Sequence, residues 1–235
     1  MNHKKKHFVI AIDGPAGAGK STVAKIVAER LGFLYVDTGA MYRALTLKAL
    51  QKKCDFNNRN DLISMARKTR IELLNDNGHY KVMVDGEDVT DEIRTEEVSK
   101  NSHFIASIPE IREILWNMQR AYRESHNIVM EGRDIGTVVF PDAQVKIYLD
   151  ASVEERAKRR YLQLKQQNMG IDIDKLKEEI ILRDERDRKR EIAPLLKHPE
   201  AVVIDSTNMT VEQEVSIIID LYRKKIAKLN SLSSY

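Results

Sequence analysis

The stretch Gly14-Pro15-Ala16-Gly17-Ala18-Gly19-Lys20-Ser21 lies between an apolar run, residues 8–12, and an amphipathic run, residues 21–31. It matches the pattern G-x-x-x-x-G-K-[ST] at every fixed position, with a strand predicted before it and a helix after it. Small residues let the backbone curl so that N–H groups point inward at phosphate oxygens, and the helix adds its positive dipole end. In such a loop Lys20 reaches the β- and γ-phosphates of a nucleoside triphosphate, and the Ser21 hydroxyl ligates Mg²⁺. We expect the nucleotide to contact every residue from Gly14 to Thr22.

Five short apolar runs rich in β-branched residues predict buried strands: residues 8–12, 34–36, 128–130, 145–149 and 201–204. An acidic residue follows each run, namely Asp13, Asp37, Glu131, Asp150 and Asp205. Amphipathic stretches lie between the runs, and strands that alternate with helices imply a parallel sheet covered on both sides. In such sheets the ligand lies beyond the carboxyl ends of the strands. The prediction is an α/β fold whose acidic strand ends mark the functional edge.

Residues 70–98 interrupt this alternation. Two runs with a period of two residues, 71–74 and 80–84, are separated by the turn residues Asn75-Asp76-Asn77-Gly78, and Asp85-Gly86 follows. The segment therefore predicts a small antiparallel β insertion.

Composition limits the classes of function. The chain has 235 residues, 42% hydrophobic and 32% charged, which suits one α/β domain with an insertion or two small domains. A net charge of +3 is too small to indicate nucleic-acid binding by itself. A single cysteine, Cys54, allows no disulfide within the chain, and neither a signal-peptide core nor a membrane-spanning apolar run is found. We expect a soluble cytoplasmic enzyme with no membrane or nucleic-acid partner and no obligate protein partner.

The phosphate loop alone does not define the reaction. A GTPase would carry an N-K-x-D stretch for guanine, and the sequence contains none. A motor or helicase would be larger. A small-molecule kinase is therefore the favoured class.

Two polar segments follow the second and third predicted strands. In Asp37-Thr38-Gly39-Ala40-Met41-Tyr42-Arg43, Thr38 can cap the next helix, and Arg43 offers a bidentate fork for phosphate. In Glu131-Gly132-Arg133-Asp134-Ile135-Gly136-Thr137, an Arg–Asp pair stands between glycines, and Glu131 is placed to orient Mg²⁺ or its waters. The alternatives are an ordinary capped helix with a surface arginine, and a salt-bridged turn.

Two arginine clusters lie in the second half of the chain. Arg156, Arg159 and Arg160 share one helical face, as do Arg183, Asp187 and Arg190. Acids interleave the second cluster regularly, which is unlike a basic nucleic-acid stripe. Fixed cations stabilise the transition state of phosphoryl transfer, whereas the alternative for each cluster is a solvated ion-pair network.

Together these segments resemble the bacterial cytidylate kinase family of P-loop nucleoside monophosphate kinases. The resemblance rests on residues 12–21, 37–43, 86–94, 132–141, 183–188 and 205–207, which follow in family order over nearly the whole chain. It implies a P-loop fold with a five-stranded core, a mobile helical lid and a long acceptor-binding insertion. The corresponding division is core 1–69, insertion 70–98, core 99–152, lid and arginine-rich helix 153–190, and core 191–235.

The resemblance also implies an activity, the transfer of phosphate from ATP with Mg²⁺ to CMP and dCMP. It implies contacts with the acceptor phosphate from Thr38, Tyr42, Arg43, Arg133 and Arg190, with cytosine from Arg112 and Asp134, and with the sugar from Arg183 and Asp187. The lid would bring Arg156, Arg159 and Arg160 to the ATP phosphates. The catalytic set would be Lys20, Arg133, Arg156, Arg160 and Arg190. The alternative function is a non-catalytic nucleotide-responsive module that binds RNA through the arginine helices.

Overall fold

The computed structural model describes residues 7–76, 79–165 and 172–232. Its strands are β1 Val9–Asp13, β2 Leu34–Asp37, β3 Ile71–Asp76, β4 His79–Val84, β5 Glu87–Asp88, β6 Ile128–Gly132, β7 Val145–Asp150 and β8 Val202–Asp205. Five of them form one sheet in the order β2-β6-β1-β7-β8, and every pair in it is parallel. The five predicted strands are confirmed, and each ends at its acidic residue or one residue later, but β8 is not buried as predicted, because it is an edge strand in which Val202 and Val203 are exposed. All five carboxyl ends therefore meet at one edge.

Helices cover both faces of this sheet. They are α1 Lys20–Leu31, α2 Thr38–Gln51, α3 Arg59–Lys68, α4 Glu96–Ala106, α5 Pro109–Ala121, α6 Val153–Lys165, α7 Ile173–Lys189 and α8 Val211–Leu232, with short helical turns at Glu92–Arg94, Tyr122–Glu124 and Ile135–Val139. Successive side chains of a strand point to opposite faces, so β1 serves both. Ile10 and Ile12 pack with apolar residues of α1 and α8, whereas Val9 and Ala11 pack with residues that include Ile135.

The predicted insertion is confirmed as a three-stranded antiparallel sheet, β3-β4-β5. Its register pairs Ile71 with Val84 and Asp76 with His79. Asn77 and Gly78 of the predicted turn lie outside the described residues. The sheet ends earlier than residue 98, since Glu92–Arg94 is a helical turn and α4 begins at Glu96. Apolar residues of the insertion and of α2, α3 and α5 form a second core.

The segment that was predicted to form a lid contains α6 and α7, which pack against each other. Gly170, which lies between them in the sequence, is outside the described residues. Arg190 is the residue that follows the last turn of α7. Across the described part of the chain, we find no helix with the length and apolarity that crossing a membrane requires.

Candidate active site

The phosphate loop, residues 14–19, connects β1 to α1 at the carboxyl edge of the sheet. The Lys20 Nζ atom donates a hydrogen bond to the Pro15 carbonyl oxygen at 2.7 Å, and the side chain is 5% exposed. Gly14 has a φ of 151°, and a Cβ there would collide with the Leu149 carbonyl oxygen. Gly19 precedes α1 in the left-handed conformation, so both positions require glycine. The loop therefore wraps around its own lysine and leaves Ser21 and Thr22 exposed.

The surroundings of Lys20 disfavour the charged form of its side chain. Burial and the nearby Arg133 guanidinium lower the pKa of its ammonium to about 7, although Glu131 and Asp13 act in the opposite direction. Negative charge placed in the loop would favour the ammonium form. Lys20 is therefore a buried cation whose charge an anion bound in the loop would stabilise.

Glu131, near the end of β6, lies between the phosphate loop and β2. One carboxylate oxygen accepts a hydrogen bond from the Tyr35 hydroxyl at 3.0 Å, and the Ser21 hydroxyl also bonds to this carboxylate. Burial and the Asp37 carboxylate raise the pKa of Glu131, and Lys20 acts against them. The carboxylate is thus fixed beside both polar side chains that begin α1.

The start of α2 corrects one prediction. Asp37, and not Thr38, caps this helix, because the Asp37 carboxylate accepts a hydrogen bond from the Ala40 N–H at 2.9 Å. The Thr38 hydroxyl instead donates to the Glu131 carbonyl oxygen at 2.8 Å and ties α2 to β6. Arg43, one turn further, pairs with Asp37 at 3.1 Å.

A buried polar pair lies beneath the turn that follows β6. The Arg112 Nη2 atom of α5 is 2.7 Å from Asp134 Oδ2, and the Trp116 Nε1 atom donates to the same oxygen at 2.9 Å. The Arg112 guanidinium lies over the rings of Tyr42 and Trp116, at 5.3 Å from each centroid. Within the described residues the buried Tyr42 hydroxyl has no hydrogen-bond partner. The family resemblance implies that Arg112 and Asp134 share one site, and the structure brings the two side chains into contact.

Arg133 and Arg190 share a single carboxylate, that of Asp187. The Arg133 Nε atom is 2.8 Å from Asp187 Oδ2, and the Arg190 Nη2 atom is 2.6 Å from Asp187 Oδ1. Burial of Asp187 disfavours its charge, but the two arginines outweigh this effect and lower the pKa of Asp187 to about 2. Arg183 is exposed and lies close enough to Asp187 to interact electrostatically. The network gathers three arginines around one acid.

The three arginines of α6 have different environments. Arg156, 2% exposed, pairs with Asp184 at 2.6 Å and donates to the Ala16 and Ala151 carbonyl oxygens at 3.0 Å. Arg159 donates to the Ala18 carbonyl oxygen at 3.3 Å and to the Ser206 carbonyl oxygen at 2.7 Å. Arg160 is exposed, and its guanidinium bonds to Gln163 at 3.5 Å. Arg156 and Arg159 therefore lie against the outer side of the phosphate loop.

Sequence reasoning missed four residues of this site. Trp116 stands one helical turn after Arg112, and Asp184 stands three residues before Asp187, so helical spacing could have found both. Tyr35 lies in a strand and was read only as a core residue. Asp13 was noted as a strand end but was given no contact.

A family model and three relatives in sequence agree on one family. A family model described as Cytidylate kinase matches residues 10–224. The chain is 50% identical over 222 residues to the cytidylate kinase of Geobacillus sp. (strain WCH70), covering 94% of this chain and 99% of that protein. It is 48% identical over 214 residues to that of Alkaliphilus oremlandii (strain OhILAs), covering 91% and 97%. It is 46% identical over 219 residues to that of Enterobacter sp. (strain 638), covering 93% and 96%.

Proposed function

The chain belongs to the cytidylate kinase family, and from this premise we infer that it transfers the γ-phosphoryl group of ATP to the phosphate of CMP. The products are CDP and ADP, and the enzyme is a nucleoside monophosphate kinase. The observation that carries this function is one sheet edge that holds both a phosphate loop and a buried Arg112–Asp134 pair. We extend the acceptor range to dCMP. No observation favours an RNA-binding role for the arginine helices.

On the donor side, the backbone of residues 14–19 would hold the ATP phosphates, and Lys20 would turn from Pro15 to their oxygens. Thr22, exposed at the start of α1, would extend this contact. Arg160, which is exposed and bonds to Gln163 at 3.5 Å, would reach the transferring group. Arg156 and Arg159, which lie against the outer side of the loop in this structure, would reach the ATP phosphates when α6 moves on closure.

The donor site suits Mg²⁺. Within residues 7–76, 79–165 and 172–232, no three His, Cys, Asp or Glu side chains form a metal cage. Mg²⁺ that accompanies a nucleotide uses only one or two protein ligands besides phosphate oxygens and water, and the Ser21 hydroxyl with the nearby Glu131 carboxylate fits this requirement. Bound there, Mg²⁺ would neutralise charge on the β- and γ-phosphates.

On the acceptor side, Asp134 would accept the N4 amino group of cytosine, and Arg112 would donate to N3 and O2. The unpartnered Tyr42 hydroxyl lies beside this pair. Uracil would set its O4 against the carboxylate and its N3–H against the guanidinium. A site built for polar partners rejects such an analogue strongly.

Cations around the acceptor phosphate complete the site. We assign Thr38, Tyr42, Arg43, Arg133 and Arg190 to the phosphate, and Arg183 with Asp187 to the sugar. In this structure Arg43 pairs with Asp37, and Arg133 and Arg190 pair with Asp187. The substrate phosphate would displace these carboxylates from the arginines.

The chemistry needs no dedicated general base, since the acceptor phosphate is already ionised. Catalysis consists of in-line positioning and of charge neutralisation by Lys20 and the arginines. We assign residues 70–98 to the acceptor side and residues 153–190 to a lid, and their closure over both substrates would exclude water.

An acceptor panel tests the function. Purified protein is given ATP and Mg²⁺ with CMP, dCMP, UMP, AMP or GMP, and ADP formation is followed. We expect fast ADP formation with CMP and dCMP, slower formation with UMP, and only background with the purine nucleotides. ADP formation that does not depend on added CMP would contradict the proposal.

A further inference from the structure

Asp13, the last residue of β1, makes a contact that the acceptor and donor assignments above do not use. It is 5% exposed, and its carboxylate is bonded on both oxygens. The Ile135 N–H donates to Oδ1 at 2.8 Å, and the Gly136 N–H donates to Oδ2 at 2.7 Å. Both donors begin the helical turn Ile135–Val139, and we call residues 132–136, which join the end of β6 to it, the acceptor turn. One carboxylate therefore fixes two consecutive peptide groups of that turn.

The turn carries the two residues that we place at the acceptor, Arg133 and Asp134. Its fit to Asp13 is close, because a Cβ on Gly136 would lie 3.2 Å from Asp13 Oδ2. Burial raises the pKa of Asp13 to about 7, while the N–H groups of Gly136 and Ile135 lower it. The two backbone N–H groups therefore favour the ionised form of the carboxylate, against the effect of burial.

Asp13 is also the residue before the phosphate loop. The next residue, Gly14, packs so closely against the Leu149 carbonyl oxygen of β7 that a Cβ there would collide with it. The backbone at this point is thus held between β6 and β7, the neighbours of β1 in the sheet. The Asp13 side chain therefore connects the residue before the phosphate loop directly to the backbone of Ile135 and Gly136.

We propose that Asp13 is a positioning residue that holds the CMP-reading turn in register with the phosphate loop. It acts through the backbone of the turn and not by touching either substrate. The proposal rests on the assignment of Arg133 and Asp134 to CMP.

The test is Asp13→Asn, which keeps the shape of the side chain. The amide can accept from one N–H, but its own NH₂ group faces the other, so one end of the turn is released. We expect KM for CMP to rise about tenfold and the preference for CMP over UMP to narrow, while KM for ATP changes by less than about threefold. Steady-state kinetics measures the two KM values and the CMP to UMP preference, with one substrate varied while the other is saturating.

Asp205→Asn is the matched control. Asp205 also ends a strand and accepts a hydrogen bond from a following backbone N–H, that of Thr207 at 3.0 Å, but it does not contact the turn. We expect it to keep the wild-type KM for CMP. Gly136→Ala is a second variant, which presses on Asp13 and leaves its charge in place. It should reproduce the rise in KM for CMP with a smaller size.

The proposal would be overturned if Asp13→Asn raised KM for CMP and KM for ATP equally. It would also be overturned if both KM values were unchanged and kcat fell only in proportion to the unfolded fraction. If Asp13→Asn does not fold, an unchanged KM for CMP in folded Gly136→Ala overturns it. Asp134→Ala separates this inference from the acceptor assignment. If Asp134→Ala leaves KM for CMP unchanged, the assignment itself fails, whereas failure of the inference alone leaves the Asp134→Ala effect intact.

Discussion

The donor and acceptor sides of the sheet edge hold their cations in different ways. On the proposed donor side, Lys20 bonds to the main-chain carbonyl oxygen of Pro15, and Arg156 bonds to that of Ala16 as well as to the Asp184 carboxylate at 2.6 Å. On the acceptor side, Arg112 and Arg133 bond to side-chain carboxylates, those of Asp134 and Asp187. Lys20 is therefore placed by the backbone of the phosphate loop, and Arg156 by that backbone together with one carboxylate. The cations proposed for the acceptor side are placed by acids, and in the proposed function a substrate would displace or share these acids.

This difference predicts which kinetic parameter each side controls. A loop whose shape is fixed loses transition-state stabilisation when its lysine is removed. A side built from paired charges loses discrimination between substrates when one partner is removed, because the other partner is left unsatisfied. Donor variants should therefore lower kcat, and acceptor variants should change relative KM values and substrate preference.

Lys20→Ala should have the largest effect. The loop keeps its glycines and its backbone, but no ammonium group reaches the β- and γ-phosphates. We expect turnover to fall by at least about 10²- to 10³-fold while the fold is kept. Circular dichroism and steady-state kinetics measure the two. Arg30→Ala, an exposed position on the same helix that pairs with Glu212, is the control and should keep its activity. Near-normal turnover in folded Lys20→Ala would refute the donor assignment.

Asp134→Ala should have the next largest effect. It removes the acceptor for the cytosine amino group and leaves the buried Arg112 guanidinium without its 2.7 Å partner. A lost hydrogen bond to a charged group costs about 1.5–3 kcal/mol, so kcat/KM for CMP should fall about 10- to 150-fold. UMP turnover should change much less. Asp142→Ala, an exposed acid before β7 that pairs with Arg123, is the control. Equal losses for CMP and UMP would make Asp134 a structural partner of Arg112.

Much of the fold could be predicted from the sequence because it depends on patterns formed by residues that are close together in the chain. Strands buried on both faces give short, continuous apolar runs, and β1 has no exposed residue. The phosphate loop is also local, since its glycines, its lysine and its helix are adjacent in the chain. The insertion was predicted from period-two runs, but this pattern does not show that the predicted range 70–98 also contains the helical turn Glu92–Arg94.

The partners within the site could not be predicted in this way. Arg156 and Asp184 are 28 residues apart, and Arg133 and Asp187 are 54 apart, so only the packing of helices on the sheet brings them together. Thr38 and Asp37 are both good caps, and the choice depends on the Glu131 carbonyl oxygen, which takes the threonine hydroxyl. Which side chain bonds to which atom is decided by tertiary contacts that the sequence pattern does not contain.

The affinity of the donor side for ATP should also depend on pH, with a change of about tenfold per pH unit. In the free protein, burial and Arg133 lower the pKa of Lys20 to about 7, so at pH 8 only about a tenth of the molecules carry the ammonium. Triphosphate raises this pKa, and ATP binding at pH 8 should take up nearly one proton. ATP affinity should fall about tenfold for each pH unit above 7 until the pKa of the bound state is reached.

Titration calorimetry in two buffers with different ionisation enthalpies measures this proton uptake. ATP phosphates are ionised at pH 8 and supply little of the signal. Lys20→Ala should bind ATP more weakly and take up no proton. The same uptake in Lys20→Ala would assign the titration to another group.

Asp187→Ala should have the smallest effect and should separate two roles of one carboxylate. Asp187 is held by Arg133 at 2.8 Å and by Arg190 at 2.6 Å, and its pKa of about 2 keeps it ionised throughout the working range. If it also accepts the ribose 2′-hydroxyl, CMP loses a contact that dCMP never makes. Removal should then lower kcat/KM for CMP about three- to tenfold more than for dCMP.

The control for this comparison lies on the same helix. Glu185 is exposed and pairs with Lys189, so Glu185→Ala should leave the CMP to dCMP ratio at its wild-type value. Identical losses for both acceptors in Asp187→Ala would place the carboxylate in the arginine network alone. The Asp187 carboxylate would then only hold Arg133 and Arg190 in place, as the Pro15 carbonyl oxygen holds Lys20, and the contrast between the two sides would rest on Asp134.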